Sequence, residues 1–170
     1  MIQRVQTVYM LASVIAILMM LVLPLGLMTS SDALFNITAL GVTCTAGDVV
    51  LDKMCYELLA ILLVMFVLPL VCIFLYKNRK LQLRILIYTA VLDFLFYAFF
   101  FLYENSVLEK MVADVLNLSG YSPMVETTYS IVLYAMPLLS LLCCIMAMRG
   151  VLYDIALLAS ADRLRPSRKK

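Results

Sequence analysis

The chain contains no histidine and no tryptophan, and only 14% of its 170 residues are charged. Without histidine there is no bis-imidazole haem, none of the usual zinc or di-iron ligand sets, and no general base of the commonest kind near neutral pH. Five cysteines are present, but none stands in a C-x-x-C arrangement, so a zinc ribbon or thioredoxin-like centre has no support. A membrane thiol or quinone enzyme would need such a pair, which ranks that reading last. A soluble domain of this length would carry roughly 25% charged residues. Here 65% of residues are hydrophobic and the mean hydropathy is +1.05, an apolar excess that calls for a non-aqueous solvent.

What the chain does have is long apolar runs. Spanning hydrocarbon takes about 20 apolar residues, and four stretches meet that length: 5–28, 54–76, 81–103 and 123–149. The expected fold is all-α, a single membrane domain over 1–170 built as an integral bundle of four transmembrane helices. The first run is too long for a signal-peptide core and reads as a retained helix. Pro69 and Pro137 fall inside the second and fourth runs and predict bends. Ser122-Pro123 offers an N-cap and first-turn proline for the fourth.

The connections differ in charge. Residues 77–80 form a tight turn, and Lys77, Arg79, Lys80 and Arg84 put four cations into eight residues. Residues 29–53 carry Asp32, Asp48 and Asp52 against Lys53, and 104–122 carry Glu104, Glu109 and Asp114 against Lys110. Within the first acidic loop, 34–42 can be turned back by Thr45-Ala46-Gly47-Asp48 toward 49–51, which allows a short β-hairpin. In the second, Val107, Leu108, Met111, Val112, Val115 and Leu116 repeat at helical spacing behind a Ser106/Glu109 capping box. They predict a short amphipathic exterior helix lying on the membrane boundary. Past Arg149 the chain stays helix-friendly, so a cytoplasmic helical extension is expected to project past the membrane, or bend along its surface, to near Arg165, within a cytoplasmic tail 150–170 that ends strongly basic. Arg4, the 77–84 turn and the tail all fall on one side of a four-span arrangement. The positive-inside rule then places both termini in the cytoplasm.

Three stretches together resemble a known family: Met1-Ile2-Gln3-Arg4-Val5-Gln6-Thr7-Val8-Tyr9, the 75–84 turn, and Ser160-Ala161-Asp162-Arg163-Leu164-Arg165. The combination is similar to a family of small four-helix inner-membrane proteins from Bacteroidetes, domain-of-unknown-function family 4293. The resemblance implies a bacterial inner (cytoplasmic) membrane and a multi-pass topology, and no reaction.

Asp93 is the one acid deep inside an apolar run. It lies nine residues past Arg84, about 13 Å along a helix. Ser13 lies nine residues past Arg4, and Ser140 nine before Arg149, so the three should share one depth. Thr89 and Tyr97 flank Asp93 at i−4 and i+4 and complete a candidate intramembrane polar cluster. A carboxylate at that depth costs at least about 2.5–3.5 kcal/mol and should face the bundle interior. It could relay a proton or cation. The plainer reading, and the preferred one, is a protonated carboxyl hydrogen-bonding a neighbouring hydroxyl to fix helix packing.

Cys44 and Cys55 both fall on the exterior side and could pair in an oxidising compartment or stay independent thiols. Cys72, Cys143 and Cys144 should pack as small hydrophobes, and the scattered methionines as gap-fillers. The candidate cytoplasmic docking surface comprises Arg4, Lys77, Asn78, Arg79, Lys80, Arg84, Asp162, Arg163 and Arg165, with Gln3, Gln6 and Gln82 adding directional hydrogen-bonding groups. Its partner would be an anionic lipid or another membrane protein beyond the bilayer itself; no cofactor and no nucleic acid are expected. The sequence thus points to a non-enzymatic accessory or scaffold subunit, with a small transporter or channel component using Asp93 as the alternative.

Overall fold

The structure, a computed structural model, describes residues 2–29, 34–46, 49–54, 56–103 and 126–164, with side chains described within 5–27, 29, 36–43, 56–103 and 128–160. Among the described residues there are four helices: α1 (Ile2–Val22), α2 (Tyr56–Phe74), α3 (Arg79–Tyr103) and α4 (Ile131–Leu164). All four are long and apolar enough to cross a membrane. They form an up-down bundle in which α4 packs against α1 and α3, and α2 closes the ring between the same two helices. The outer surface is what lipid requires: Val8, Val64, Phe94, Leu142 and many other large apolar side chains are exposed.

One end of the bundle holds a feature that helical periodicity could not reveal. Among the described residues five short strands, β1 (Gly26–Thr29), β2 (Leu34–Ile37), β3 (Gly41–Ala46), β4 (Val49–Met54) and β5 (Glu126–Tyr129), form an antiparallel sheet in the order β4-β3-β2-β1-β5. The expected hairpin of 34–42 against 49–51 is corrected: 49–51 pairs with 44–46, and 34–37 pairs with 42–45 instead. The sheet is wider than one hairpin. A lone hairpin is marginal, whereas three or more strands over an apolar floor are stable. Leu25, Ile37, Ala39 and Val42 supply that floor, buried with Ile17, Met20, Leu58, Leu62, Phe96 and Phe100 of the helices.

Two expected spans are corrected by this sheet. The run 5–28 does not stay helical to its end: α1 stops at Val22, and Gly26–Thr29 is a strand. Pro24 has no N–H to continue the helix, and the Leu25 N–H goes instead to Ile37 O at 2.8 Å. The run 123–149 is not helical throughout: Glu126–Tyr129 pairs with β1, and α4 begins at Ile131. Thr127, Thr128 and Tyr129 are strand formers. Ser130 then caps α4, its Oγ accepting from Val132 N at 3.4 Å, in place of Ser122-Pro123. That dipeptide, the 107–116 amphipathic helix and Arg165 lie outside the described residues. Gly26 faces Tyr129 across the β1–β5 pair, and a Cβ there would sit 3.1 Å from the ring, so the glycine lets the ring lie flat on the strand.

At the other end, α2 and α3 meet through a turn in which Asn78 N donates to Leu75 O at 3.0 Å and Gln82 N to Asn78 O at 2.9 Å. The helix therefore starts two residues before the expected 81. Helix α4 runs unbroken for 34 residues, about 51 Å at 1.5 Å per residue. Hydrocarbon is about 30 Å thick, so α4 overshoots it by about 20 Å.

Candidate functional site

Among the described residues, the buried polar side chains other than Thr89 gather in three layers that separate and bound two apolar clusters. The middle layer is built on one residue from each of three helices. Ser13 of α1, Asp93 of α3 and Ser140 of α4 are all fully buried. Ser140 Oγ donates to Asp93 Oδ2 at 2.8 Å, and Ser13 Oγ lies 2.7 Å from Ser140 Oγ. With Asp93 ionised, Ser140 gives its single hydroxyl proton to Asp93 and Ser13 donates to Ser140; a protonated Asp93 can donate instead and reverse the order. The Cys144 Sγ, 3.6 Å from Ser13 Oγ, extends the chain. Asp93 Oδ1 meets no hydrogen-bond partner among the described residues.

Thr89 and Tyr97 do not join this layer, contrary to expectation. Thr89 is buried, but its hydroxyl turns back to Ile85 O of its own helix at 2.9 Å, the usual outlet for a threonine inside a helix. Tyr97 reaches across to α4 and donates to Tyr134 O at 2.6 Å.

The second layer lies one cluster nearer the basic end, beside Leu86, Ala147 and Val151. Gln82 of α3 is buried and donates through Nε2 to Cys72 O of α2 at 3.1 Å and toward Met10 Sδ of α1 at 3.6 Å. Its backbone carbonyl accepts from the Cys72 thiol at 3.8 Å.

The third layer closes the basic end. Asp154 of α4, 6% exposed, accepts from Gln6 Nε2 of α1 at 3.0 Å and pairs with Arg79 Nη1 of α3 at 3.2 Å. Gly150, one turn before Asp154, makes room for this: a Cβ there would fall 2.6 Å from Gln6 Cγ. Replacing Gly150 by valine is expected to drive Gln6 off Asp154 and destabilise the bundle by about 1–3 kcal/mol. Unfolding of the purified protein in detergent measures it, and Gln6→Ala in the same background should recover part of the loss by removing the clash. Gln6 and Gln82, expected on the docking surface, are therefore internal ties instead: each buries its amide against a neighbouring helix.

Outside these layers lies a cleft of about 630 Å³, with Lys77, Asn78, Arg79, Lys80, Leu81 and Arg84 on one side and Ile155, Leu158 and Ala159 of α4 on the other. Lys77, Asn78, Lys80 and Arg84 are exposed. Arg79 lines this cleft and also a smaller recess of about 220 Å³ shared with Gln6, Gln82 and Asp154. Of the other expected docking residues, Arg4, Asp162 and Arg163 sit on α1 and α4 with side chains outside the described set. Cys55, and with it the Cys44–Cys55 pairing, also lies outside the described residues. Cys72, Cys143 and Cys144 are buried thiols. Among the described residues no three of Cys, Asp and Glu converge as metal donors.

A family model for a domain of unknown function, DUF4293, matches residues 2–164. The chain belongs to that family. No curated protein matches it. All three layers and the cleft fall within the DUF4293 match. Two of the positions that organise them, Gly150 and Asp154, carried no signal in the sequence. Asp154 reads as a surface acid beyond an apolar run, and only its i+4 spacing from Gly150 hints at a shared face.

Proposed function

We propose that this DUF4293 protein is a non-enzymatic accessory subunit of a bacterial inner membrane that docks a partner through its basic end. The observation that carries the proposal is the cleft beside the overshooting α4. Lys77, Lys80 and Arg84 are exposed there and make no ion pair with a described residue, while the nearby Asp154 is already engaged by Arg79 and Gln6. Topology needs cations on a loop, but it does not need them gathered against a helix that runs on past the bilayer. By the positive-inside rule this end faces the cytoplasm, with the sheet outside.

The arm of α4 adds apolar surface: Leu152, Tyr153 and Leu157 are about half exposed, at the headgroup level and beyond it, outside the hydrocarbon. Arg and aromatic side chains beside apolar ones are the composition of interfaces. A photo-crosslinker at Leu157 in native membranes should trap one defined protein. Recovery of lipid alone, or of a diffuse smear of abundant membrane proteins, would sink the docking role.

A second reading has its own support. Asp93 Oδ1 is buried and unpartnered among the described residues, and such an oxygen could take up a proton or a cation. This favours a small transporter component, and the Asp93 substitutions in the Discussion separate it from the packing role.

A further inference from the structure

We infer that the basic cleft holds the phosphate headgroup of an anionic phospholipid from the adjoining leaflet. The inference rests on the basic end being a working surface and names what fills one part of it. Charge is the first argument. Lys77, Lys80 and Arg84 crowd one wall without an acid among the described residues to neutralise them. The first turn of α3 lines the same wall, and its dipole adds to the positive field. Such a wall draws an anion.

The apolar side chains of the cleft decide which anion. Leu81 and Leu158 are 44% and 51% exposed, and both line the cleft. A soluble phosphate or acidic peptide would leave these apolar faces in water. A phospholipid meets the cations and the leucines at once, with phosphate on the cations and the carbons of its glycerol and headgroup against the leucines.

Depth is the third argument. Arg84 lies nine residues from Asp93, and Tyr103, at the sheet end of α3, lies ten residues on the other side. These are about 13 and 15 Å along the helix, and half the hydrocarbon thickness is about 15 Å. Arg84 therefore sits at the hydrocarbon–headgroup boundary, with Lys77 and Lys80 just beyond it. Exposed Tyr76 and Tyr153 mark the same level. Lipid phosphates occupy this plane.

The test is native mass spectrometry of the full-length protein released from detergent, titrated with phosphatidylglycerol and with phosphatidylcholine. Phosphatidylglycerol should bind at least about tenfold more tightly, and the triple variant Lys77→Gln, Lys80→Gln, Arg84→Gln should lose that preference. Leu158→Asn should weaken phosphatidylglycerol by a smaller factor while leaving the fold intact, which keeps the test open if the triple variant folds poorly. Millimolar inorganic phosphate should not displace the lipid. Equal binding of the two lipids, or displacement by inorganic phosphate, overturns the inference. The Leu157 crosslink reports separately on docking: a protein crosslink with no lipid preference rejects only the lipid, and lipid preference with no protein crosslink rejects only the docking role.

Discussion

Asp154→Ala is expected to lower the stability of the bundle by about 2–3 kcal/mol, just below the range of about 3–5 kcal/mol for breaking a fully buried ion pair. The carboxylate is the shared acceptor for Gln6 and Arg79, so its loss strands two donors from two helices. Gln6 is 6% exposed, so its amide has little water to replace the lost carboxylate. The Arg79 side chain is 26% exposed and can swing into the cleft, which keeps the cost from being larger. Asp154→Asn retains an acceptor for Gln6 and should cost about half as much. Unfolding in mixed detergent gives the values, and a double-mutant cycle with Gln6→Ala isolates the shared term. A loss below about 0.5 kcal/mol for Asp154→Ala would mean both donors rehydrate freely, and the third layer would then be an ornament of packing.

Asp93→Leu is expected to cost about 1–2 kcal/mol, the scale of interhelical hydrogen bonds measured in membranes. It removes the end of the Ser13–Ser140–Asp93 chain and leaves the Ser140 hydroxyl aimed at a methyl group. Asp93→Asn keeps an oxygen for Ser140 and should stay within about 0.5 kcal/mol of the parent if the residue serves packing. The same two variants decide the transport reading in sealed vesicles. A proton or cation flux abolished by Asp93→Asn at unchanged stability would establish transport, whereas loss of stability in Asp93→Leu with no flux in any variant would leave Asp93 as a tie between helices.

The helices and their order were legible because the membrane imposes one strong rule, that every backbone polar group be satisfied within its own helix. Long apolar runs obey it and announce themselves. Counting from the flanking cations likewise set Ser13, Asp93 and Ser140 at one depth, since helical rise is constant, and in the structure the three are hydrogen-bonded to one another. Thr89 and Tyr97 shared a face with Asp93 by the same counting, yet each found a backbone carbonyl first. Depth follows from rise; partnership depends on which carbonyl lies nearest.

By itself the sequence determined the four spans, the gathering of cations at one end and the depth of the buried carboxyl. All of these are properties of single segments, fixed by hydropathy, charge and rise per residue. Only the tertiary structure decided the sheet, the ties and the cleft. Gly26–Thr29 becomes a strand because Glu126–Tyr129, a hundred residues away, is there to pair with it. Gln6 and Gln82 leave the surface because Asp154, Cys72 and Met10 wait on other helices. The cleft exists because α4 runs past the bilayer beside the α2–α3 turn. Each is a relation between segments distant in sequence, and its energy appears only once hydrophobic burial has brought the partners together.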